Sequence, residues 1–197
     1  KKINFFTDIS NYVSYETGQP THCYNYEKVG DKIKLDFIKD NFKFETLVDK
    51  TINLDDKDLV FINKYNQVIN LAGVMGGIDT ACSNSTKTAL IECAYFEPES
   101  IIGKTLKYDL NSEAAHKFER GTDSDSQEYV LRRFIKIISD HAEIKNLEFI
   151  SYNFKDLNKK EIRNDKDKIE KILGTTFKEN EFNRSALSNY HRQTIRR

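Results

Sequence analysis

Leu59-Val60-Phe61-Ile62 and Val68-Ile69-Asn70-Leu71 are two apolar runs on either side of a polar turn at Asn63 to Gln67. Short runs without alternation predict strands buried on both faces. Directly after the second run, Ala72-Gly73-Val74-Met75-Gly76-Gly77 places three glycines in six residues. Small residues in a loop let a ligand or another backbone come close. Two readings stay open for this loop: a sharp structural turn, or a nest of free N–H groups from Gly73, Gly76 and Gly77 for a carbonyl or phosphate. It lacks the Gly-x-Gly-x-x-Gly and Gly-Lys-[Ser/Thr] spacings, which argues against a nucleotide loop.

Working outward, Ile9, Tyr12 and Val13 recur at helical spacing, and Gly18-Gln19-Pro20 ends that pattern, predicting a helix over 8–17. Ile33, Leu35, Phe37, Phe42 and Phe44 alternate around Asp40-Asn41, predicting a β-hairpin over 32–44. Ala89 to Phe96 reads as a further strand, and Pro98 opens a helix to about Lys107. The clearest helix spans about 124–141, where Val130, Leu131, Phe134, Ile135, Ile137 and Ile138 form a broad stripe that should pack on a sheet. Leu147 to Phe154 alternates as a strand, and two short helical patterns follow, Asp165 to Leu173 before Gly174 and another from Lys178. The fold class expected is α+β, with mixed and antiparallel β-sheets packed with helices.

The 197 residues carry 31 Lys and Arg against 31 Asp and Glu, so no overall field gathers a polyanion from a distance. Residues 1–150 hold 19 basic against 24 acidic residues and residues 151–197 hold 12 against 7, which marks a composition boundary near 151. The basic tail reads as a solvated linker with helix faces, with phosphate contact as the alternative. Aromatic residues, 12% of the chain, supply a core although the mean hydropathy is −0.66. No apolar run reaches the length of a membrane span and the first residues turn polar too early for a signal peptide, so the expectation is a soluble, cytoplasmic chain with no membrane partner. Three cysteines without Cys-x-x-Cys spacing read as reduced thiols, and no metal site is expected.

Three segments are hard to explain by packing alone: Glu16 to His22, Ala72 to Gly77, and Ser112-Glu113-Ala114-Ala115-His116-Lys117-Phe118-Glu119-Arg120-Gly121. Together with Asp8-Ile9-Ser10-Asn11-Tyr12-Val13 and Ile91-Glu92-Cys93-Ala94-Tyr95-Phe96, in this order and rough spacing, they resemble the editing domain of the phenylalanine–tRNA ligase β subunit. The resemblance covers about residues 4–155 and implies an editing domain over 1–155. Residues 156–197 then resemble a linker and an incomplete start of the next helical β-subunit domain, with Ile169-Glu170-Lys171-Ile172-Leu173-Gly174 as its mark.

The activity implied is hydrolysis of tyrosine wrongly joined to phenylalanine tRNA. Phe and Tyr differ by one hydroxyl, and an apolar synthetic pocket rejects an added hydroxyl only by about two orders of magnitude, so a second, hydrolytic sieve is useful. That sieve must reward the hydroxyl with a hydrogen bond. Glu92, alone in an apolar run, is the residue the resemblance places on the tyrosyl phenol; an ion pair with Arg or Lys is its structural alternative. By the same resemblance Gly73 and Gly76 line the aminoacyl group, Ala114 keeps that space open, and Ser112 stands where the family usually has Thr. His22 is implied near the ester as a positioner or water contact, against a purely structural role. His116 is expected to be structural, Glu119 and Arg120 to fix a turn by an ion pair, Asn25 to have no site role although relatives are commonly acidic there, and Cys93 to face away from Glu92. An activated water is the expected attacker. The resemblance further implies no cofactor in this domain, ATP and Mg2+ at the synthetic site of the whole ligase, and as partners the aminoacylated end of tRNA(Phe) and the ligase α subunit in a heterotetramer. The alternative is a non-catalytic domain of the same synthetase that contacts tRNA or scaffolds its subunits.

Overall fold

The computed structural model describes residues 2–152, 165–176 and 178. The chain divides into two compact units, 1–150 and 151–197. In the first unit the order is α1 (Phe5–Thr17), β1 (His22–Asn25), α2 (Tyr26–Val29), β2 (Ile33–Phe37), β3 (Phe42–Glu45), β4 (Thr51–Leu54), β5 (Leu59–Asn63), β6 (Val68–Leu71), β7 (Met75–Gly76), β8 (Ala89–Glu92), α3 (Lys104–Tyr108), α4 (Glu113–Phe118) and α5 (Gln127–His141). The second unit contributes α6 (Lys166–Leu173), capped by the Asp165 carboxylate on Lys168 N–H and closed by Gly174 at φ 67°. Its bounds match the sequence pattern at 165–173. The helical pattern expected from Lys178 lies outside the described residues apart from Lys178 itself.

The α+β expectation holds, and every strand pairing among the described residues is antiparallel. The strands form a four-stranded sheet in the order β2-β5-β6-β7 and two ribbons, β1-β8 and β3-β4. Val60, Phe61, Ile69, Leu71, Ala72 and Val74 of the large sheet and its loop meet Phe44, Ile52 and Leu54 of the β3-β4 ribbon in the main core. Phe96, Ile101, Tyr108, Ala115 and Phe118 complete that core from the segments after β8. The runs at 59–62 and 68–71 are the pair of central strands their apolar character predicted.

The β1-β8 ribbon lies between two cores, and period-2 alternation decides what each face meets. Tyr24 and Leu90 turn to the main core, while Cys23, Ala89, Ile91 and Cys93 turn to a second core with Ile9 and Val13 of α1 and Val130 and Phe134 of α5. The long helix thus packs on a sheet face as its stripe predicts. Arg133 of α5 clasps Glu16 of α1 through Nε and Nη2 at 2.7 and 2.9 Å, so Glu16 serves the helix pair. Helix α1 begins at the Asn4 cap, which accepts from Thr7 N–H at 3.0 Å, and ends at Gly18, whose φ of 79° suits glycine.

Three sequence expectations are corrected. The alternating segment at 32–44 is not a hairpin: Ile33–Phe37 pairs with Leu59–Asn63, and Phe42–Glu45 pairs with Thr51–Leu54. Alternation marks strands but not partners. The tight turn that does close a hairpin is at 46–50, where Thr46 N–H donates to Lys50 O at 2.9 Å and Asp49 takes a positive φ of 56°. The helix expected from Pro98 to Lys107 is a 3-10 turn, Pro98–Ser100, followed by α3; Gly103 at φ 80° separates them. Leu147 to Tyr152 forms no strand, and Leu147, Phe149, Ile150 and Tyr152 are all exposed; Asn153 and Phe154 lie outside the described residues. Alternation favours a strand but does not supply a partner, and among the described residues this segment pairs with none of the strands.

Asp58 anchors α3 to the start of β5. Its fully buried carboxylate takes Lys104 Nζ at 2.6 Å, Lys107 Nζ at 3.2 Å, the Tyr108 hydroxyl, and Asp55 N–H at 2.9 Å. Burial pushes this carboxyl up, and the hydrogen bonds from Asp55, Lys104 and Tyr108 outweigh it, leaving the group below its ordinary value.

Candidate functional site

Two pairs of opposed residues meet where the β1-β8 ribbon crosses β6 and β7. In the ribbon, His22 stands opposite Glu92; in the large sheet, Asn70 stands opposite Gly76. Directly opposed residues project to the same face of an antiparallel pair. His22 lies over Gly76 so closely that a Cβ there would stand 2.4 Å from His22 Cε1. Tyr24, two residues along from His22, reaches Asn70: Asn70 Nδ2 donates to Tyr24 Oη at 2.9 Å, and Tyr24 Oη donates to Glu92 Oε2 at 3.0 Å. The His22 and Tyr24 rings meet edge to face with centroids 4.4 Å apart.

Electrostatics follow from this half-buried setting. Burial raises the Glu92 carboxyl to about 7, against the opposing pull of the Tyr24 hydrogen bond. Burial also holds His22 down to about 4, so its imidazole is neutral at pH 7, a weak base that is able to orient a water. Glu92 forms no ion pair with Arg or Lys among the described residues; its partner is a phenol from its own chain. Oε1 of Glu92 accepts no hydrogen bond among the described residues, and the residue keeps part of its surface open. One acceptor is therefore committed and one is available.

The other residues singled out from sequence divide. Gly76 joins the cluster. Gly73 sits in the β6-β7 loop at φ 68°, and a Cβ there would meet Ile101 Cδ1 at 2.8 Å and a Phe96 ring carbon at 2.9 Å, so its smallness serves packing. Ser112 caps α4 by accepting from Ala115 N–H at 3.1 Å and donates to Val74 O at 2.5 Å, tying that helix to the same loop. Ala114 is half-buried against the main core. The nest reading of the glycine loop is reduced, since Gly77 N–H is spent on Ile69 O at 2.9 Å. Cys93 turns to the second core, away from Glu92, as alternation predicts. His116 is exposed. In place of the expected Glu119–Arg120 ion pair, Arg120 Nη1 donates to His116 O at 2.9 Å and Glu119 accepts from Thr105 at 3.4 Å.

Sequence reasoning missed Tyr24 and Asn70. Asn70 carried a signal: it is a lone amide in an apolar strand, 3% exposed, and a buried amide needs partners. Tyr24 carried none, because a tyrosine in a strand is ordinary core. Among the described residues no three His, Cys, Asp or Glu side chains converge to hold a metal ion, and no helix is long and apolar enough to cross a membrane.

The family model of the B3/4 domain matches residues 1–143, nearly the whole first unit. The chain belongs to the B3/4 domain family. Relatives of this B3/4 domain include the phenylalanine–tRNA ligase beta subunits of Francisella tularensis subsp. tularensis, 35% identical over 178 residues, and of Burkholderia pseudomallei, 36% identical over 140. That of Neisseria meningitidis serogroup B is 33% identical over 138. The matches take in 89%, 71% and 70% of this chain but only 22%, 17% and 17% of those proteins. The chain thus spans about a fifth of the length of the curated relatives it matches. The family resemblance drawn from the motifs agrees with these relatives.

Gly76 gives a direct test of this B3/4 site. A methyl group at Gly76 must displace the imidazole above it, so Gly76→Ala is expected to move His22 off Tyr24. Overpacking costs about 1–3 kcal/mol, so the fold should survive. Thermal unfolding and the His22 ring NMR shifts measured on the same sample check this; unmoved His22 shifts at wild-type stability would show that Gly76 does not make room for the imidazole.

Proposed function

We propose that this domain hydrolyses tyrosine wrongly esterified to tRNA(Phe), as the editing site of a phenylalanine–tRNA ligase β subunit. The observation that carries the reading is Glu92: a half-buried carboxylate with one oxygen held by Tyr24, the other free, and a neutral imidazole opposite it. The relatives' names, phenylalanine–tRNA ligase beta subunits, support the link to phenylalanine tRNA. A tyrosyl phenol donating to Oε1 gains a charge-assisted hydrogen bond, whereas a phenylalanyl ring that covers the same oxygen leaves it unpaired. The ribose oxygen is a good leaving group, so a positioned water suffices as attacker, with His22 as its contact and no metal called on. By the same reading the partners are the aminoacylated end of tRNA(Phe) and the ligase α subunit, the location is the cytoplasm, and ATP with Mg2+ belongs to the synthetic site elsewhere in the ligase.

A second reading, a non-catalytic domain that contacts tRNA or scaffolds the subunits, is favoured by one fact: Glu92 already has a phenol partner from its own chain. Deacylation of tyrosyl-tRNA(Phe) against phenylalanyl-tRNA(Phe) separates the two. Faster loss of tyrosine supports editing, and equal rates at the uncatalysed level support the scaffold.

A further inference from the structure

The buried path from Asn70 through Tyr24 to Glu92 does something that core packing does not require. Tyr24 is fully buried and Asn70 nearly so; Tyr24 donates its hydroxyl to a carboxylate at the edge of the core, and Asn70 gives its Nδ2 to that hydroxyl while its own Oδ1 stays buried without a partner among the described residues. The His22 ring on Tyr24 and the Asn70 amide on its hydroxyl hold the phenol in place. We propose that Tyr24, backed by Asn70, is a specificity-positioning residue: its hydroxyl occupies Oε2 of Glu92, fixes the carboxylate plane and leaves Oε1 as the single acceptor for a substrate hydroxyl.

This inference rests on the reading of Glu92 as the group that senses the tyrosyl phenol. A carboxylate with two free oxygens rotates and finds water or another donor when phenylalanine enters, which relieves the penalty that discrimination needs. Tied through Oε2, it cannot turn away. The arrangement is preorganisation, with the second acceptor sacrificed so that the first keeps one direction.

A donated hydrogen bond also favours the ionised carboxylate, so the tie has a reading in pH. The groups facing Glu92 are His22 and Tyr24 on β1, with the non-titrating Asn70 on β6; Cys23 and Cys93 turn to the second core but lie near enough to feel the Glu92 charge. Burial keeps His22 at about 4 and lifts Cys93 to about 12, Cys23 and Tyr24 also being well above their ordinary values. Glu92 alone changes charge near neutrality. An ionised Glu92 makes the stronger, charge-assisted bond to a phenol, so selectivity for tyrosine should fall as pH drops through about 7.

The test uses Tyr24→Phe, which removes one oxygen and keeps the ring, with Asn70→Ala as a second variant that weakens the same tie from behind. The Glu92 carboxyl is titrated by carbon-13 NMR in the 197-residue chain, and hydrolysis of tyrosyl- and phenylalanyl-tRNA(Phe) is followed against pH with the chain in its full-length β subunit and ligase. In Tyr24→Phe the Glu92 midpoint should rise by about one pH unit, a tenfold change in its ionisation constant. The pH profile of the Tyr-to-Phe rate ratio should move up with it, and the ratio at pH 7 should fall several-fold. Asn70→Ala should shift both in the same direction by less. An unmoved midpoint, or a moved midpoint with an unchanged ratio, overturns the positioning role of Tyr24. If the ratio responds to Glu92→Ala in that same series, the editing reading stands without it; if Glu92→Ala leaves the ratio unchanged, both fall.

Discussion

Replacing Glu92 with alanine is expected to lower the preference for tyrosyl over phenylalanyl ester about ten-fold or more, because a hydrogen bond to a charged acceptor is worth roughly 1.5–3 kcal/mol. The loss should appear in the rate ratio of the two substrates and not in tRNA affinity, since Glu92 lies on the inner face of the β1-β8 ribbon. Glu92→Gln should fall between. The carboxylate offers two charged acceptor oxygens, and Tyr24 already holds one of them; an amide offers a single, neutral acceptor oxygen, which Tyr24 and the substrate must then share. Neither change should unfold the domain, although Glu92→Ala leaves the buried Tyr24 hydroxyl without its acceptor at a cost of about 1–3 kcal/mol. Single-turnover hydrolysis of both aminoacyl-tRNAs at pH 8, where wild-type Glu92 is ionised, measures the ratio.

The largest stability effect is expected at Asp58. Lys104→Ala leaves a fully buried carboxylate with Lys107 as its one remaining cation at 3.2 Å. Breaking a buried pair by removing one partner costs about 3–5 kcal/mol, and the lower end applies because Lys107 and Tyr108 stay. For a domain of this size each kcal/mol lowers Tm by about 2–4 °C, so a fall of about 6–12 °C is expected by calorimetry. The same carboxylate sets an acid limb. Its folded-state pKa lies below the ordinary value, so its stabilisation is complete above the unfolded pKa of about 4 and is lost as pH falls through the folded one. Lys104→Ala should therefore lose part of the wild-type dependence of Tm on pH below about 4. A Tm within about 2 °C of wild type would mean that Lys107 carries the pair alone.

Particular residues show what the sequence made legible. Gly18 after Thr17 and Gly174 after Leu173 ended helices where expected, because a positive φ is a local property that glycine announces. The stripe from Val130 to Ile138 found its sheet because helical period and apolar width survive any partner. Partners themselves were less visible. Phe37 and Phe42 lie five residues apart across Asp40-Asn41, yet each pairs elsewhere, with Leu59 and Leu54, since a strand further along the chain can win over a local turn. Leu147 and Phe149 alternate as well as any strand residue but remain exposed.

The site was legible as a set of motifs and not as an arrangement. Glu92, His22 and Gly76 came together because two registers, His22 with Glu92 and Asn70 with Gly76, stack at one crossing. Gly73 and Ser112 proved to be committed to Phe96, Ile101, Val74 and Ala115. Tyr24 could not be singled out, because its function lies in a hydroxyl 68 positions away in sequence from its acceptor.

In the proposed function a tyrosyl hydroxyl on Glu92 selects the ester for hydrolysis. The most direct measurement compares first-order hydrolysis of tyrosyl-tRNA(Phe) and phenylalanyl-tRNA(Phe) by the protein carrying this domain, with the same tRNA preparation and the uncatalysed rates subtracted. Tyrosyl ester is expected to be hydrolysed at least ten-fold faster, the advantage being lost in Glu92→Ala. Equal rates for the two esters, or a tyrosine preference that survives Glu92→Ala, would contradict it.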